Sequence, residues 1–352
     1  ATTCLVETIG EDVKMLLNDY HPAAEPAPDL VHVSTPSYRG THVDGFHAAV
    51  RAVVGQLAEA GEPTSSVNLF PGAVSPADLR HLKEIASAFS LDVAILPDYS
   101  DTLDGAQLEE YRKIPEGGTP LASIRAMGRA AVSIEFGRTL EGSATGAAEL
   151  ERKFGIARKT LGWPVGVVES DRFFSELSAI SGRPVPQIFV RERGRLVDSY
   201  VDAHKYVFGK RAIVYGEEDL VVGLAAFLSE IGIQPVLCAS GGQSGRLEAA
   251  VAAVTASSVG PVLARGNLDF AAVRELALEM KPDFMIGGSK GYSIARELDI
   301  PLIRVGFPIH DRIGGQRILH LGYRGAQQLF DAVANTLLAR AQDRSPVGYS
   351  YL

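Results

Sequence analysis

Cys4 is the side chain in this sequence with the most chemical reach. It stands in a small-residue turn, Ala1-Thr2-Thr3-Cys4, followed by the acidic segment Glu7-Thr8-Ile9-Gly10-Glu11-Asp12. A helix start after a turn favours negative charge and so lowers a thiol toward the thiolate that binds metal. One other cysteine exists, Cys238. A single thiol cannot close a metal site, so Cys4 is either an ordinary packed residue or shares ligands with sequence ahead of residue 1 or with another chain. Ser37 is the second candidate. It lies in the loop Thr35-Pro36-Ser37-Tyr38-Arg39-Gly40, where proline stiffens the backbone. A thiolate and a serine oxygen at neighbouring strand ends could both face a metal cluster, although capping serines far outnumber metal-ligating ones.

The remaining signals are weaker. Eight histidines are scattered without an H-E-x-x-H pair. His310-Asp311-Arg312 follows a predicted strand, in the zone where an α/β protein places a site or an interface. Gly287-Gly288-Ser289-Lys290-Gly291 and Gly241-Gly242-Gln243-Ser244-Gly245 lack dinucleotide and P-loop spacing. Tight strand-to-helix turns account for both.

Short apolar runs alternating with helical periodicity would position these residues. Strands are expected at 30–34, 66–70, 93–96, 212–216, 234–238, 284–288 and 301–305. Helices are expected at 43–58, 75–89, 121–127, 147–154, 169–182, 185–208, 218–231, 244–257 and 327–339. Residues 97–120 read as a long polar loop. The alternation predicts parallel sheets flanked by helices, an α/β architecture of repeated Rossmann-like domains. The expected division is 1–62, 63–165 and 166–352, the first being the remnant of a larger domain. The opening turn has no strand ahead of it, which predicts that the N-terminal part of that domain is missing.

With 352 residues, 46% of them hydrophobic and 22% charged, the chain can bury several cores. A net charge of −8 argues against nucleic acid, which calls for a basic stripe. No apolar run is long enough to span a membrane. Two distant cysteines and no visible signal peptide point to a reducing, cytoplasmic setting.

Ordered motifs along the whole chain add a resemblance. Thr2-Thr3-Cys4 with Glu7-Thr8-Ile9-Gly10-Glu11-Asp12 is similar to a TTC-x-x-E-x-IG-[DE]-D segment. Thr35-Pro36-Ser37-Tyr38, Gly40, His42-Val43 and Gly45 are similar to TPSF-x-G-S-H-V-x-G, and Gly117-Gly118-Thr119 to a GGT turn. Pro184-Val185-Pro186 with Glu192-Arg193-Gly194-Arg195-Leu196-Val197-Asp198, the run Lys281–Gly287, Pro301–Arg312 and Gly322-Tyr323 with Gly325-Ala326 continue the series. Together they resemble the β-type (K) subunit of nitrogenase component 1, including vanadium-type and nitrogenase-like (methylthio-alkane reductase) β subunits.

The resemblance implies an oxidoreductase subunit of three Rossmann-like domains. It implies an [8Fe-7S] P-cluster, or a simpler iron–sulfur cluster, at the interface with an α-type (D) subunit in an α2β2 heterotetramer. An ATP-driven iron protein homodimer would deliver electrons, which the cluster relays to a catalytic cofactor in the α subunit. The substrate would be N2 or a carbon–sulfur bond. Cys4 falls on the last cluster cysteine of the β subunit, and Ser37 on the serine that binds the oxidised cluster. The other two β cysteines would lie ahead of residue 1. The alternative is the N-type scaffold subunit for cofactor assembly, which the loop Pro97–Gly105 resembles; against it stand Cys4 and Ser37, since that scaffold has glycine at the cysteine position.

Overall fold

The computed structural model describes residues 29–36, 38, 40–113 and 116–347. After helix α1 (His42–Leu57), strands β1 (Val67–Phe70), β2 (Val93–Ile95), β3 (Val132–Phe136) and β4 (Ala157–Leu161) form one sheet in the order β2-β1-β3-β4, all parallel. Helices α2 (Pro76–Ala88), α3 (Ser100–Leu103), α4 (Leu121–Ala126) and α5 (Gly146–Phe154) connect them. Helices α6 (Gly166–Ser181) and α7 (Gln187–Val207) lead to a second parallel sheet. Its strands are β5 (Arg211–Tyr215), β6 (Gln234–Ala239), β7 (Leu263–Arg265), β8 (Phe284–Gly287) and β9 (Leu302–Arg304), in the order β7-β6-β5-β8-β9. Helices α8 (Glu218–Glu230), α9 (Leu247–Val254), α10 (Phe270–Met280) and α11 (Tyr292–Glu297) cross between them, and α12 (Gly322–Asp343) follows. The expected α/β class of parallel sheets flanked by helices is therefore the observed one.

Strands β1 and β8 are buried along their whole length, because helices cover both faces of each sheet. Strand β4 reads Ala-Arg-Lys-Thr-Leu and is mostly exposed, a charged edge that discourages further pairing. One continuous core joins the sheets, from Leu69 and Ile134 through Trp163 to Phe227, Phe284 and Phe330. At its centre Phe174 stacks on Tyr323 at 4.7 Å and meets Phe189 at 4.8 Å, which packs α6, α7 and α12 together. Such aromatic pairs contribute about 0.5–1.5 kcal/mol each beyond their burial.

Three expectations need correction. Residues 30–34 form no strand; the His32 N–H donates to Gln56 Oε1 (3.0 Å), and Gln56 Nε2 donates to the His32 carbonyl (2.8 Å). A side chain of α1 thus satisfies the backbone groups a strand neighbour would have taken. Strands β3, β4 and β7 and helices α10 and α11 go beyond the expected elements. The loop over 97–120 contains the single-turn helix α3, pinned by Lys83–Asp98 (2.6 Å), Arg80–Asp104 (2.6 Å) and Arg317–Asp104 (3.2 Å).

Close approach explains the glycines after β8. A Cβ on Gly287 would sit 2.3 Å from the Tyr215 carbonyl oxygen, and one on Gly291 would sit 2.2 Å from the Tyr215 hydroxyl. That hydroxyl accepts from the Gly291 N–H at 3.1 Å and donates to the Gly288 carbonyl. Gly287→Ala is expected to destabilise the fold by about 2–3 kcal/mol, since backbone cannot yield as a side chain can. A denaturant midpoint within about 0.5 kcal/mol of the parent would contradict this packing.

Candidate functional site

Cys4 and Ser37 both lie outside the described residues. The exit of the Ser37 loop is described, and it is tightly built. Gly40 has φ +65°, and a Cβ there would lie 2.7 Å from Asp44 Oδ2. The same carboxylate accepts from the Thr41 N–H at 2.6 Å, while Thr41 Oγ1 accepts from the Asp44 N–H at 3.4 Å. This reciprocal capping box fixes the start of α1. At the first position of the helix, His42 Nε2 meets Glu217 Oε1 at 2.5 Å.

Glu217 opens a run of three acids at the start of α8, past the carboxyl end of β5. Each holds a different loop. Glu218 is buried, accepts from the Ser244 N–H (3.3 Å), and would collide with a Cβ on Gly242 at 2.6 Å. Asp219 Oδ1 accepts from the Thr139 N–H at 2.9 Å, reaching the loop after β3 in the other sheet. Burial pushes the Glu217 carboxyl up, against the pull of His42. Burial likewise raises Asp219 to about 6, with the Thr139 N–H only partly offsetting it.

A carboxyl whose folded pKa is raised favours folding below its ordinary value near 4 and loses that advantage as pH climbs through about 6. Asp219→Asn keeps an acceptor for Thr139 and removes the buried charge. The variant should be more stable than the parent by about 2 kcal/mol above pH 7, with the difference vanishing below about pH 4. Urea titrations across that range test it, and a pH-independent difference would refute it.

A small open depression lies at the carboxyl ends of β1 and β3, where the strand order reverses. Such a switch point is the usual ligand position in an open α/β sheet. Phe46 and His47 of α1 line it together with Phe70, Leu96, Glu135 and Thr145. Glu135 is buried at 1% exposure, bonded by Arg158, by Thr160 Oγ1 (3.1 Å) and by Thr145 Oγ1 (2.7 Å). Burial lowers the His47 imidazole, with Glu135 and Asp44 pulling the other way. The corresponding reversal in the second sheet, between β5 and β8, is closed by the Tyr215 ring against Gly287 and Gly291.

Other reactive residue types are accounted for structurally. Cys238 is fully buried in β6, and burial pushes its thiol far above the usual range, so it is neither ligand nor nucleophile. Gly287–Gly291 has the G-x-S-x-G spacing of a nucleophile elbow. Ser289 Oγ, however, is engaged by the His310 N–H (2.9 Å) and the Asp311 N–H (3.4 Å), which makes it a loop staple. In the His310-Asp311-Arg312 segment, Asp311 is gripped by Arg304 at 2.7–2.9 Å, which holds its carboxyl well below the ordinary range. Asp78 and His320 form a buried pair at 2.8 Å, but His320 Nε2 accepts from the Gly306 N–H at 3.1 Å and cannot serve as a base. Among the described residues, no three His, Cys, Asp or Glu side chains converge to hold a metal ion. No described helix is long and apolar enough to cross a membrane.

This architecture and its motifs match known proteins along nearly the whole chain. The family model described as nitrogenase component 1 type oxidoreductase matches residues 1–338. The nitrogenase molybdenum-iron protein beta chain of Clostridium pasteurianum is 34% identical over 345 residues, covering 97% of this chain and 75% of that one. The nitrogenase vanadium-iron protein beta chain of Trichormus variabilis is 34% identical over 362 residues, covering 96% and 75%. The nitrogenase iron-molybdenum cofactor biosynthesis protein NifN of a Nostoc species is 31% identical over 352 residues, covering 97% and 75%. The solved structure of nitrogenase Cp1 at pH 6.5 superposes with a TM-score of 0.93 at 31% identity, covering 99% of this chain and 77% of that one. The chain belongs to the nitrogenase component 1 type oxidoreductases, in their β-type branch.

Proposed function

We propose that this chain is the β-type subunit of a component 1 reductase and relays electrons through an iron–sulfur cluster shared with an α-type subunit. The observation that carries the reading is the family match, which begins at residue 1 and so includes the Cys4 segment. Molybdenum-iron and vanadium-iron beta chains among the relatives support it. The donor chemistry also fits. With Cys238 locked in the core, Cys4 is the one thiol left to this chain for a cluster. Thiolate is the ligand iron–sulfur clusters favour, and a serine oxygen suits a more oxidised iron.

In this reading Cys4 and Ser37 hold the cluster from the β side, and the remaining ligands come from outside this chain. Cys4 and Ser37 would hold an [8Fe-7S] P-cluster or a simpler one, which when bound would supply one-electron transfer chemistry. The work of this chain's own residues is to fix the ligand-bearing loops. The capping box and Gly40 set the exit of the Ser37 loop, and α8 supports it from the second sheet. The α-type partner carries the catalytic cofactor, in an α2β2 assembly served by an ATP-driven iron protein, and reduces N2 or a carbon–sulfur bond. The division 1–62, 63–165 and 166–352 belongs to the same proposal.

Co-expression with the α-type subunit of the same source tests this. A complex that co-purifies with acid-labile sulfide and shows a cluster signal on stepwise oxidation is expected. An iron-free complex, or no complex, would refute the relay. A complex that takes up a cofactor precursor and releases it without turnover would identify a scaffold instead.

A further inference from the structure

We infer that Asp219 latches the loop after β3 to the second sheet, and that this latch loosens as pH rises toward neutral, freeing the cover of the depression in the first sheet. The latch needs neither a cluster nor a partner chain.

The loop runs from Gly137 to Thr145, and its Leu140 and Thr145 line the depression beside His47 and Glu135. Asp219 reaches it from the first turn of α8, in the other sheet. Its Oδ1 accepts from the Thr139 N–H at 2.9 Å. A Cβ on Gly137 would sit 2.6 Å from Asp219 Oδ2 and 2.5 Å from Leu140 Cδ1, so the missing side chain is what lets the carboxyl and the leucine meet there. Two other ties of the loop stay within the first sheet. Arg158 Nη2 donates to the Leu140 carbonyl (3.2 Å), and Thr145 Oγ1 donates to Glu135 (2.7 Å). Glu141 meets Arg246 at 3.4 Å, but its side chain is 91% exposed, and a pair this exposed holds little. Release of the Thr139 N–H therefore frees the loop from the second sheet without touching the core that joins the sheets.

The groups around Asp219 decide when that happens. Arg138, in the same loop, is committed to Glu169 of α6 at 2.7 and 2.8 Å, and Glu169 also takes Arg172. On α8, Glu218 adds like charge while its own carboxylate accepts from the Ser244 N–H, and Glu217 is engaged by His42. Backbone N–H groups thus support the Asp219 charge against burial and a neighbouring acid, and burial wins, raising the carboxyl to about 6. With the latch open, water solvates the same group and its value returns to near 4. Closure is accordingly favoured at acid pH, where the protonated carboxyl still accepts from Thr139 through its carbonyl oxygen. That advantage is lost as pH climbs through about 6.

Amide hydrogen exchange in the full chain, followed from pH 5 to pH 8 and corrected for intrinsic rates, tests the latch. The Thr139 N–H should be less protected at every pH than the Met285 N–H, which is bonded to the Pro301 carbonyl at 2.9 Å inside the second sheet, because the latch opens without unfolding the chain. Thr139 protection should fall roughly tenfold between pH 5 and pH 7 and level off above. In Asp219→Asn, which keeps an acceptor for the Thr139 N–H, the profile should be flat. Glu141→Gln, which removes the exposed acid of the loop, should keep the parent's fall. Equal protection of Thr139 and Met285 would overturn the inference, since the loop would then open only with the whole fold. A flat profile in the parent, a fall that persists in Asp219→Asn, or one that vanishes in Glu141→Gln would overturn it as well.

Discussion

Asp78→Ala is expected to cost about 4–5 kcal/mol of folding stability. Asp78 is completely buried and lies 242 residues from His320, yet the two are in direct contact. Its carboxylate accepts from the His320 N–H (2.7 Å), the Leu321 N–H (3.0 Å), His320 Nδ1 (2.8 Å) and the Ser75 N–H (3.2 Å). Beside it, Ser75 Oγ donates to the Ile318 carbonyl at 2.6 Å, so the start of α2 holds the whole approach to α12. Alanine would leave these donors buried without an acceptor, at about 1–3 kcal/mol for each unsatisfied group, and would also remove the capping box of α2.

The charge on Asp78 has a pH signature. Burial works against it, but His320 and the backbone N–H groups outweigh burial and hold the carboxyl below its ordinary value. A lowered carboxyl stabilises the fold above its unfolded pKa near 4 and loses that contribution as pH falls through the folded value. The variant should therefore lie well below the parent at neutral pH and draw closer to it under acid conditions. Urea midpoints at pH 7 and pH 3 would show both effects. A loss under about 1 kcal/mol at pH 7 would mean the pair does not join these segments.

Nothing in the local pattern around His320 announces that contact, and this marks where sequence reading runs out. Strands such as Ala212–Tyr215 and Val236–Cys238 are legible because a parallel strand covered on both faces must be apolar throughout. Strand β3 is not, because Ser133 and Glu135 interrupt its apolar run, and their buried partners lie on other elements. Strand β4 is hidden by its charged edge character. The site divides in the same way. Cys4 and Ser37 can be picked out from residue type and ordered motifs, since a thiol and a proline-flanked serine carry chemistry in themselves. The ties from Glu217 to His42 and from Asp219 to Thr139 depend on how two sheets sit together, which no spacing encodes. Glu217-Glu218-Asp219 reads locally as a helix start and nothing more.

Cys4→Ala should abolish or severely deplete the cluster in the purified α/β complex, while the metal-free chain keeps its fold. The two expectations rest on separate arguments. Among the described residues the core that joins the sheets runs from Val67 to Leu337, far along the chain from Cys4, and melting of the metal-free variant is expected to match the parent. Removing an outer partner of a metal ligand typically costs about 10–100-fold in affinity, and removing the ligand should cost at least as much. Cys4→Ser is the informative companion. An oxygen donor at the same position can hold iron but is harder than sulfur, so iron should be partly retained with an altered potential. Ser37→Ala should behave differently from both, keeping iron under reducing conditions and changing only the oxidised state. Iron and sulfide analysis with spectra at controlled potentials separates the three. Parent-level iron and unaltered spectra in Cys4→Ala would show that this thiol is an ordinary packed residue and that the relay does not pass through this chain's cysteine.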